Sequence, residues 1–211
     1  MENAEELKEK VKDALKDMNG SVKMILFTSE EDCKYCKDAL EISELVAESN
    51  EKLSLEKYDL KKDEGKSKEY QVDKVPALII HGEEKRMVRF YGLPAGYEFS
   101  TLISDIKDAS NTKPDISADL IEKIKKIDKE LHIQVLVTPT CPHCPQAVKV
   151  AHDMALLNPK IKADMIEASE FPDIIKKYNV TGVPKTVINE TTEFTGAQPL
   201  DIVLKKIEEM K

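Results

Sequence analysis

The hydrophobic pattern of this chain changes period several times, and it does so twice in the same order. An amphipathic helix is expected near Glu5–Met18 and another near Ser117–Lys129, where Leu120, Ile121, Ile124 and Ile127 recur at helical spacing. A short apolar run of strand length follows each, Val22–Phe27 and Ile133–Val137. A Cys-x-x-Cys then opens a second helix; in the later copy Ala147, Val148, Ala151, Met154 and Ala155 make its apolar face. A second strand ends at Asp59 or Glu167, and a short polar helix leads to Tyr70 or Tyr178. A strand beginning at a proline, a hairpin, a further strand and a closing helix complete each copy. The order is αβαβαββα. Strands alternating with helices predict an α/β fold with a central sheet covered on both faces, and the closing hairpin makes that sheet mixed.

The duplication shows at a fixed offset. Cys33 and Cys36 lie 108 residues before Cys141 and Cys144. The same offset carries Asp59 onto Glu167, Tyr70 onto Tyr178, Val72 onto Val180, and Val75-Pro76 onto Val183-Pro184. A chance repeat of Cys-x-x-Cys would not bring a Val-Pro with it 43 residues after the first cysteine. The copies differ where connections vary: nine residues separate Ile80 from Phe90, but five separate Ile188 from Phe194. Two units are expected, 1–112 and 113–211, divided where Asn111-Thr112-Lys113-Pro114 interrupts the helical pattern. So short a connection predicts units packed together, not beads on a flexible string.

Composition narrows the function. A length of 211 residues fits one large domain or two small ones, and 41% hydrophobic residues exclude a wholly disordered chain. With 40 acidic against 32 basic side chains the net charge is −8, which argues against a nucleic-acid partner. No apolar run approaches the ~18 residues that span a bilayer. The acidic start, Met1-Glu2-Asn3-Ala4-Glu5-Glu6, lacks the basic-then-apolar order of a secretory signal. The expected location is cytoplasmic, with no membrane partner.

The four cysteines form two close pairs, Cys33-Lys34-Tyr35-Cys36 and Cys141-Pro142-His143-Cys144. Spacing alone allows dithiol redox sites or one four-thiolate zinc site. The surroundings favour dithiols and no metal, because each pair opens its own helix in its own complete unit, without the Gly-rich turns of zinc knuckles. A cysteine at a helix start meets unsatisfied N–H groups and the positive end of the helix dipole, which lower its pKa below about 8.5. Thiolate is the attacking species. Cys33 and Cys141 are therefore read as nucleophiles, and Cys36 and Cys144 as resolving thiols. Pro142 suits the first helical position. His143 can add a positive charge or a donor near the Cys141 sulfur, unless it is an ordinary exposed side chain. Lys34, beside Tyr35, also favours thiolate but is long and solvated. A stabilised thiolate makes the disulfide a stronger oxidant, so the second site is expected to be the more oxidising.

Each Val-Pro has two readings. Proline is tolerated at the first position of a strand. Alternatively Val75-Pro76 and Val183-Pro184 are cis bonds that set backbone beside the cysteines, where it could pair with an extended substrate segment. Cis is uncommon even before proline, about 5% in folded proteins. Asp59 and Glu167, each ending a second strand, could relay protons for the resolving thiols or simply cap turns.

These residues together resemble the thioredoxin fold. The match extends to the archaeal protein disulfide oxidoreductases, also called glutaredoxin-like proteins. It rests on Phe90–Phe99, on Val137-Thr138-Pro139-Thr140-Cys141-Pro142-His143-Cys144-Pro145, on Asp164–Ala168, and on Tyr178-Asn179-Val180. The resemblance covers essentially the whole chain. It implies two tandem thioredoxin-like folds, each a mixed central sheet flanked by helices, and cis bonds before Pro76 and Pro184. It also implies reduction, formation or shuffling of disulfides in substrate proteins, with no bound cofactor. Electrons would come from an NADPH-dependent, flavin-containing thioredoxin reductase. This chain departs from thioredoxin in having no tryptophan, and Phe27 and Val135 where thioredoxin has a buried acid. Pro142-His143 differs from the Pro-Tyr of glutaredoxins and resembles strongly oxidising dithiol oxidases. Two other classes fit the same motifs: a dedicated electron carrier to a peroxiredoxin or ribonucleotide reductase, and a non-catalytic chaperone or zinc scaffold.

Overall fold

The computed structural model describes residues 4–111 and 114–210. In the first half α1 (Ala4–Ala14), β1 (Val22–Thr28), α2 (Cys36–Ala47), β2 (Leu53–Asp59), α3 (Glu64–Tyr70), β3 (Ala77–His81), β4 (Met87–Tyr91) and α4 (Tyr97–Asn111) follow in order. The second half repeats them as α5 (Ala118–Lys125), β5 (Leu131–Val137), α6 (Cys144–Leu157), β6 (Ile161–Glu167), α7 (Pro172–Lys177), β7 (Lys185–Ile188), β8 (Thr192–Thr195) and α8 (Leu200–Glu209). A one-turn 3-10 helix, Ala168–Glu170, stands between β6 and α7. This is the order the hydrophobic pattern predicts. The expected boundary at Thr112-Lys113 lies outside the described residues.

The helix ends differ from expectation. The first helix stops at Ala14 and the fifth at Lys125, each about one turn early. Leu15 and Met18 remain buried in the turn that follows α1, so the apolar spacing outlasts the helix. Both units use an asparagine that the offset brings into register. Asn50 Nδ2 donates to the Leu15 carbonyl, while its Oδ1 accepts the Lys52 N–H, both at 2.9 Å. Asn158 Nδ2 donates to the Ile124 carbonyl at 2.8 Å, and its Oδ1 accepts the Lys160 N–H at 2.9 Å. The chain also leaves α3 and α7 through left-handed residues, Gln71 (φ 52°) and Asn179 (φ 45°). The following N–H then turns back, Val72 to the Ser67 carbonyl and Val180 to the Ile175 carbonyl.

The two sheets are one. Eight strands run in the order β2-β1-β3-β4-β6-β5-β7-β8. In each unit the first two strands pair in parallel and the hairpin adds two antiparallel strands. The units join where β4 lies parallel to β6, with Met87 opposite Lys162 and Tyr91 opposite Ile166. The last strand of the first unit thus meets the second strand of the next, head to tail. Burial follows: β4 and β6 are buried almost throughout, whereas the outer strands β2 and β8 alternate with solvent. Helices cover both faces, and one apolar core runs from Leu26, Ile80, Phe90 and Leu102 in the first unit to Val135, Val148 and Met154 in the second. Fully burying a side chain such as Leu102 contributes about 1.5–3 kcal/mol.

A buried ion pair crosses the seam. Arg89 of β4 reaches Asp164 of β6 through two bonds, Nε to Oδ1 at 2.6 Å and Nη2 to Oδ2 at 2.9 Å. Both side chains are 2% exposed. Arg89 Nη1 also donates to the Gln71 carbonyl at 2.8 Å, and His132 Nε2 lies 2.6 Å from Asp164 Oδ2. Burial by itself raises the Asp164 pKa, but the Arg89 charge and His132 outweigh it and bring the value to about 2.

Candidate functional site

Strand direction places the cysteines. β1 and β5 run the same way, because β4 is antiparallel to β3, which is antiparallel to β1, while β6 is parallel to both β4 and β5. Each Cys-x-x-Cys follows the carboxyl end of one of these strands, so both pairs emerge at one end of the sheet. The Val-Pro bonds arrive there too. Ala77, just after Pro76, pairs with Phe27 at the end of β1, and Lys185, just after Pro184, pairs with Leu136 at the end of β5. The same end carries Asp59, opposite Thr28, and Glu167, opposite Val137.

Both pairs are closed as disulfides with Cα atoms 5.5 Å apart. Cys33 is partly exposed, while Cys36 is 7% exposed. Cys141 is 9% exposed and Cys144 fully covered. In each pair the first cysteine is the more exposed, although Cys141 is itself buried. The helices begin at the second cysteines, Cys36 and Cys144, with Tyr35 and His143 at the N-cap. Neither N-cap side chain bonds the first-turn N–H groups, so no cap neutralises the positive helix end. Pro142 does not take the first helical position. It lies two residues ahead of α6, and Pro145 fills the first turn instead. Pro142, His143 and Lys34 are exposed. Lys34 Nζ stands 4.8 Å from the Tyr35 ring centre, and contact with Tyr35 raises its pKa. A donor that sequence reading missed is the Ser29 N–H, 3.4 Å from Cys36 Sγ.

The Val75–Pro76 and Val183–Pro184 bonds are cis. Val75 and Val183 are half-buried, and both prolines are buried. The Pro76 carbonyl accepts the Gly92 N–H at 2.9 Å, and the Pro184 carbonyl accepts the Gly196 N–H at 2.8 Å. The two acids are engaged with local backbone. Asp59 Oδ1 accepts the N–H groups of Lys61 and Lys62, both at 2.9 Å; these bonds, that of Lys62 foremost, lower its pKa. Glu167 accepts the Ser169 N–H, the Ser169 hydroxyl and the Glu170 N–H. That is turn capping, the plainer of their two readings.

One loop links the sites. Residues 92–97 leave β4 beside Pro76 and end where the Tyr97 N–H bonds the Pro139 carbonyl at 3.2 Å, two residues before Cys141. Gly96 (φ 61°) lets them approach: a Cβ there would lie 2.2 Å from the Pro139 oxygen. Tyr97 itself is 51% exposed. A cavity of about 640 Å³ lies on the seam, lined by Arg89, Tyr91, His132, Asp164, Lys162 and Tyr178 among others, and no cysteine lines it. Asp105, Asp108 and Asp153 converge between α4 and α6 on the Lys149 ammonium, 2.6 Å from Asp108, so a cation of the protein's own already stands among them. Among the described residues no helix is long and apolar enough to cross a membrane.

A family profile described as thioredoxin domain matches residues 131–209. The crystal structure of a protein disulfide oxidoreductase from Aeropyrum pernix superposes with a TM-score of 0.92 at 30% identity, covering 99% of this chain and 94% of that one. The structure of the F component of alkylhydroperoxide reductase from Enterococcus faecalis shares the fold, with a TM-score of 0.89 at 21% identity over 96% of this chain and 97% of that one. Among sequences, the F component of alkyl hydroperoxide reductase from Staphylococcus aureus is 29% identical over 206 residues, 96% of this chain and 37% of that protein. A Bacillus subtilis NADH dehydrogenase is 29% identical over 171 residues, 81% of this chain and 31% of that protein. The chain thus spans about a third of the length of these curated relatives. Identity at this level across nearly all of both chains, on two cysteine pairs placed alike at one end of a shared sheet, settles the family: the chain belongs to the protein disulfide oxidoreductases, thioredoxin-fold thiol–disulfide oxidoreductases with two Cys-x-x-Cys sites.

Proposed function

We propose that both pairs exchange disulfides with substrate proteins. The Cys33 or Cys141 thiolate attacks a client disulfide, forms one mixed disulfide and releases one client thiolate, which takes up a proton. Cys36 or Cys144 then loses its proton and attacks the mixed disulfide. The client leaves with two thiols, and the protein keeps the disulfide; oxidation of a client runs the same steps backward. The observation that carries this reading is the asymmetry within each pair, the first cysteine more exposed than the second. Val75 and Val183, ahead of the buried prolines, line the groove where an extended client segment would lie. Asp59 and Glu167 serve as turn caps in this scheme. The reaction needs no bound cofactor; electrons enter from an NADPH-dependent flavoprotein of the thioredoxin reductase kind, and the setting is the cytoplasm.

The test is insulin reduction in dithiothreitol. Replacing Cys33 and Cys141 together by Ser should abolish catalysis, and retained activity would overturn the assignment. A second reading is favoured by the similarity to the F components of alkyl hydroperoxide reductases: a dedicated electron carrier from a flavoprotein to a peroxiredoxin. Turnover of scrambled ribonuclease supports the general exchanger. Its absence, with rapid electron delivery to a purified peroxiredoxin, supports the carrier.

A further inference from the structure

Glu170 ends the 3-10 helix of the second unit, yet its carboxylate serves the first. Oε1 accepts the N–H of Leu93, in the loop after β4, at 2.7 Å. The neighbouring Gly92 (φ 88°) makes room for it: a Cβ at Gly92 would lie 2.9 Å from that same oxygen and 2.7 Å from the Glu167 Cβ. Gly92 in turn bonds the Pro76 carbonyl at the first site. The carboxylate is therefore held half-buried at the seam, one residue away from the Gly92 that bonds the first unit's cis-proline. The charges whose fields reach it are Lys34, which lies between Cys33 and Cys36 in the sequence, Asp38 in the first turn of α2, and Glu167 on its own side. Burial raises its pKa to about 7; the Leu93 N–H and Lys34 pull it down, while Glu167 and Asp38 push it up.

We propose that Glu170 is a positioning residue for the first dithiol, acting across the seam by offsetting the charge of Lys34 and so setting how readily Cys33 ionises. The proposal rests on Cys33 being the attacking thiol. A charged Glu170 cancels part of the Lys34 field and disfavours the thiolate, whereas a neutral one leaves Lys34 unopposed. The two ionisations are coupled, and formation of the Cys33 thiolate favours retention of a proton on Glu170. Among the described residues no carboxylate packs against the corresponding glycine of the second unit. Gly196 makes the same bond to Pro184, but a Cβ there would meet only Gln198 Nε2, at 4.0 Å.

The experiment is a pH titration of thiolate, read by ultraviolet absorbance and by iodoacetamide alkylation from about pH 4 to pH 9. It uses the full chain with Cys141 and Cys144 replaced by Ser, with and without Glu170→Gln. The parent should titrate over a broad, two-step range. Glu170→Gln should give one step at lower pH, with alkylation near pH 6 faster by about threefold, the equivalent of ~0.5 pKa unit. Glu170→Asp, which keeps the charge, should restore the broad curve. Superimposable curves for parent and Glu170→Gln would overturn the proposal. So would an equal shift of Cys141 in the reciprocal background lacking Cys33 and Cys36, because that marks general loosening. If mass spectrometry finds that the parent alkylates at Cys36 instead of Cys33, the exchange reading itself fails, and this proposal with it.

Discussion

The pair Arg89–Asp164 offers the sharpest test of how the two units are held together. Consider Asp164→Asn. The folded pKa of Asp164 is about 2, against an unfolded value of ~3.9, a depression equivalent to roughly 2–3 kcal/mol at neutral pH. Mutational precedent for removing one partner of a buried pair is ~3–5 kcal/mol, because the other charge is left buried. Arg89 would keep the carbonyls of Tyr70 and Gln71, at 3.3 and 2.8 Å, which softens that cost. The expected loss is therefore about 3 kcal/mol, against a total stability of ~5–15 kcal/mol for a typical folded protein. Urea unfolding of the oxidised protein near neutral pH measures it. The sign of the pH dependence follows from the depressed pKa. The stabilisation is fully present above pH ~4 and is lost as pH falls through ~2. The gap between wild type and Asp164→Asn should therefore close over that window. Replacing both Arg89 and Asp164 by Leu should cost less than Asp164→Asn alone, since no lone charge stays buried. A loss under ~1 kcal/mol, or a gap that stays constant into acid, would refute the claim that this ion pair holds the seam.

Two further predictions test local packing. Gly96→Ala should destabilise by about 1–3 kcal/mol, since it combines a positive φ with a Cβ 2.2 Å from the Pro139 oxygen. Gly65→Ala, in α3 with nothing within 4 Å, should instead stabilise by about 0.5–1 kcal/mol; the reverse ranking in urea melts would contradict the loop geometry. His81 is 6% exposed, and burial, aided by Lys85 and Lys23, lowers its pKa to about 4. An unfolded His takes its proton near pH ~6.5, so stability should be whole above that value and fall by as much as ~3 kcal/mol as pH drops towards ~4. His81→Phe should flatten that slope while preserving the ring contact with Tyr70, and an unchanged slope would show that His81 does not carry it.

Much of the architecture was legible because period and duplication reinforce each other. Apolar runs of strand length, the amphipathic face of α6 and the 108-residue offset give the element order. Helix ends were less legible, because Leu15 and Met18 are as buried after α1 as within it. The fused sheet was not legible at all. A strand's sequence shows that it is buried but not which neighbour buries it, and β4 owes its burial to β6 across the seam. Arg89 shows why: a charge in the middle of Met-Val-Arg-Phe-Tyr reads as solvent-facing until Asp164 supplies its partner from another unit. Glu170 was invisible for the same reason, since nothing near it in sequence points to Leu93 or Lys34.

The two sites differ in their surroundings beyond the residues between the cysteines. Pro142, His143 and Lys34 are exposed and Tyr35 is half-exposed. The head-to-tail join makes a deeper difference. Two identical units stacked by translation cannot have identical surroundings: the hairpin end of the first is covered by β6 and the turn after it, and among the described residues no strand pairs with the hairpin end of the second. Gly92 and Gly196 hold the same place and make the same bond to the carbonyl of a cis-proline, yet among the described residues only Gly92 has a carboxylate packed against it. A half-buried charge is screened less than an exposed one and acts more strongly over the same distance. The join thus sets a carboxylate of the second unit against Gly92 of the first, while the first unit's loop at Gly96–Tyr97 bonds Pro139, two residues before Cys141. Each unit supplies part of the other's site, so separating the units should change both dithiols even if each half retained its fold.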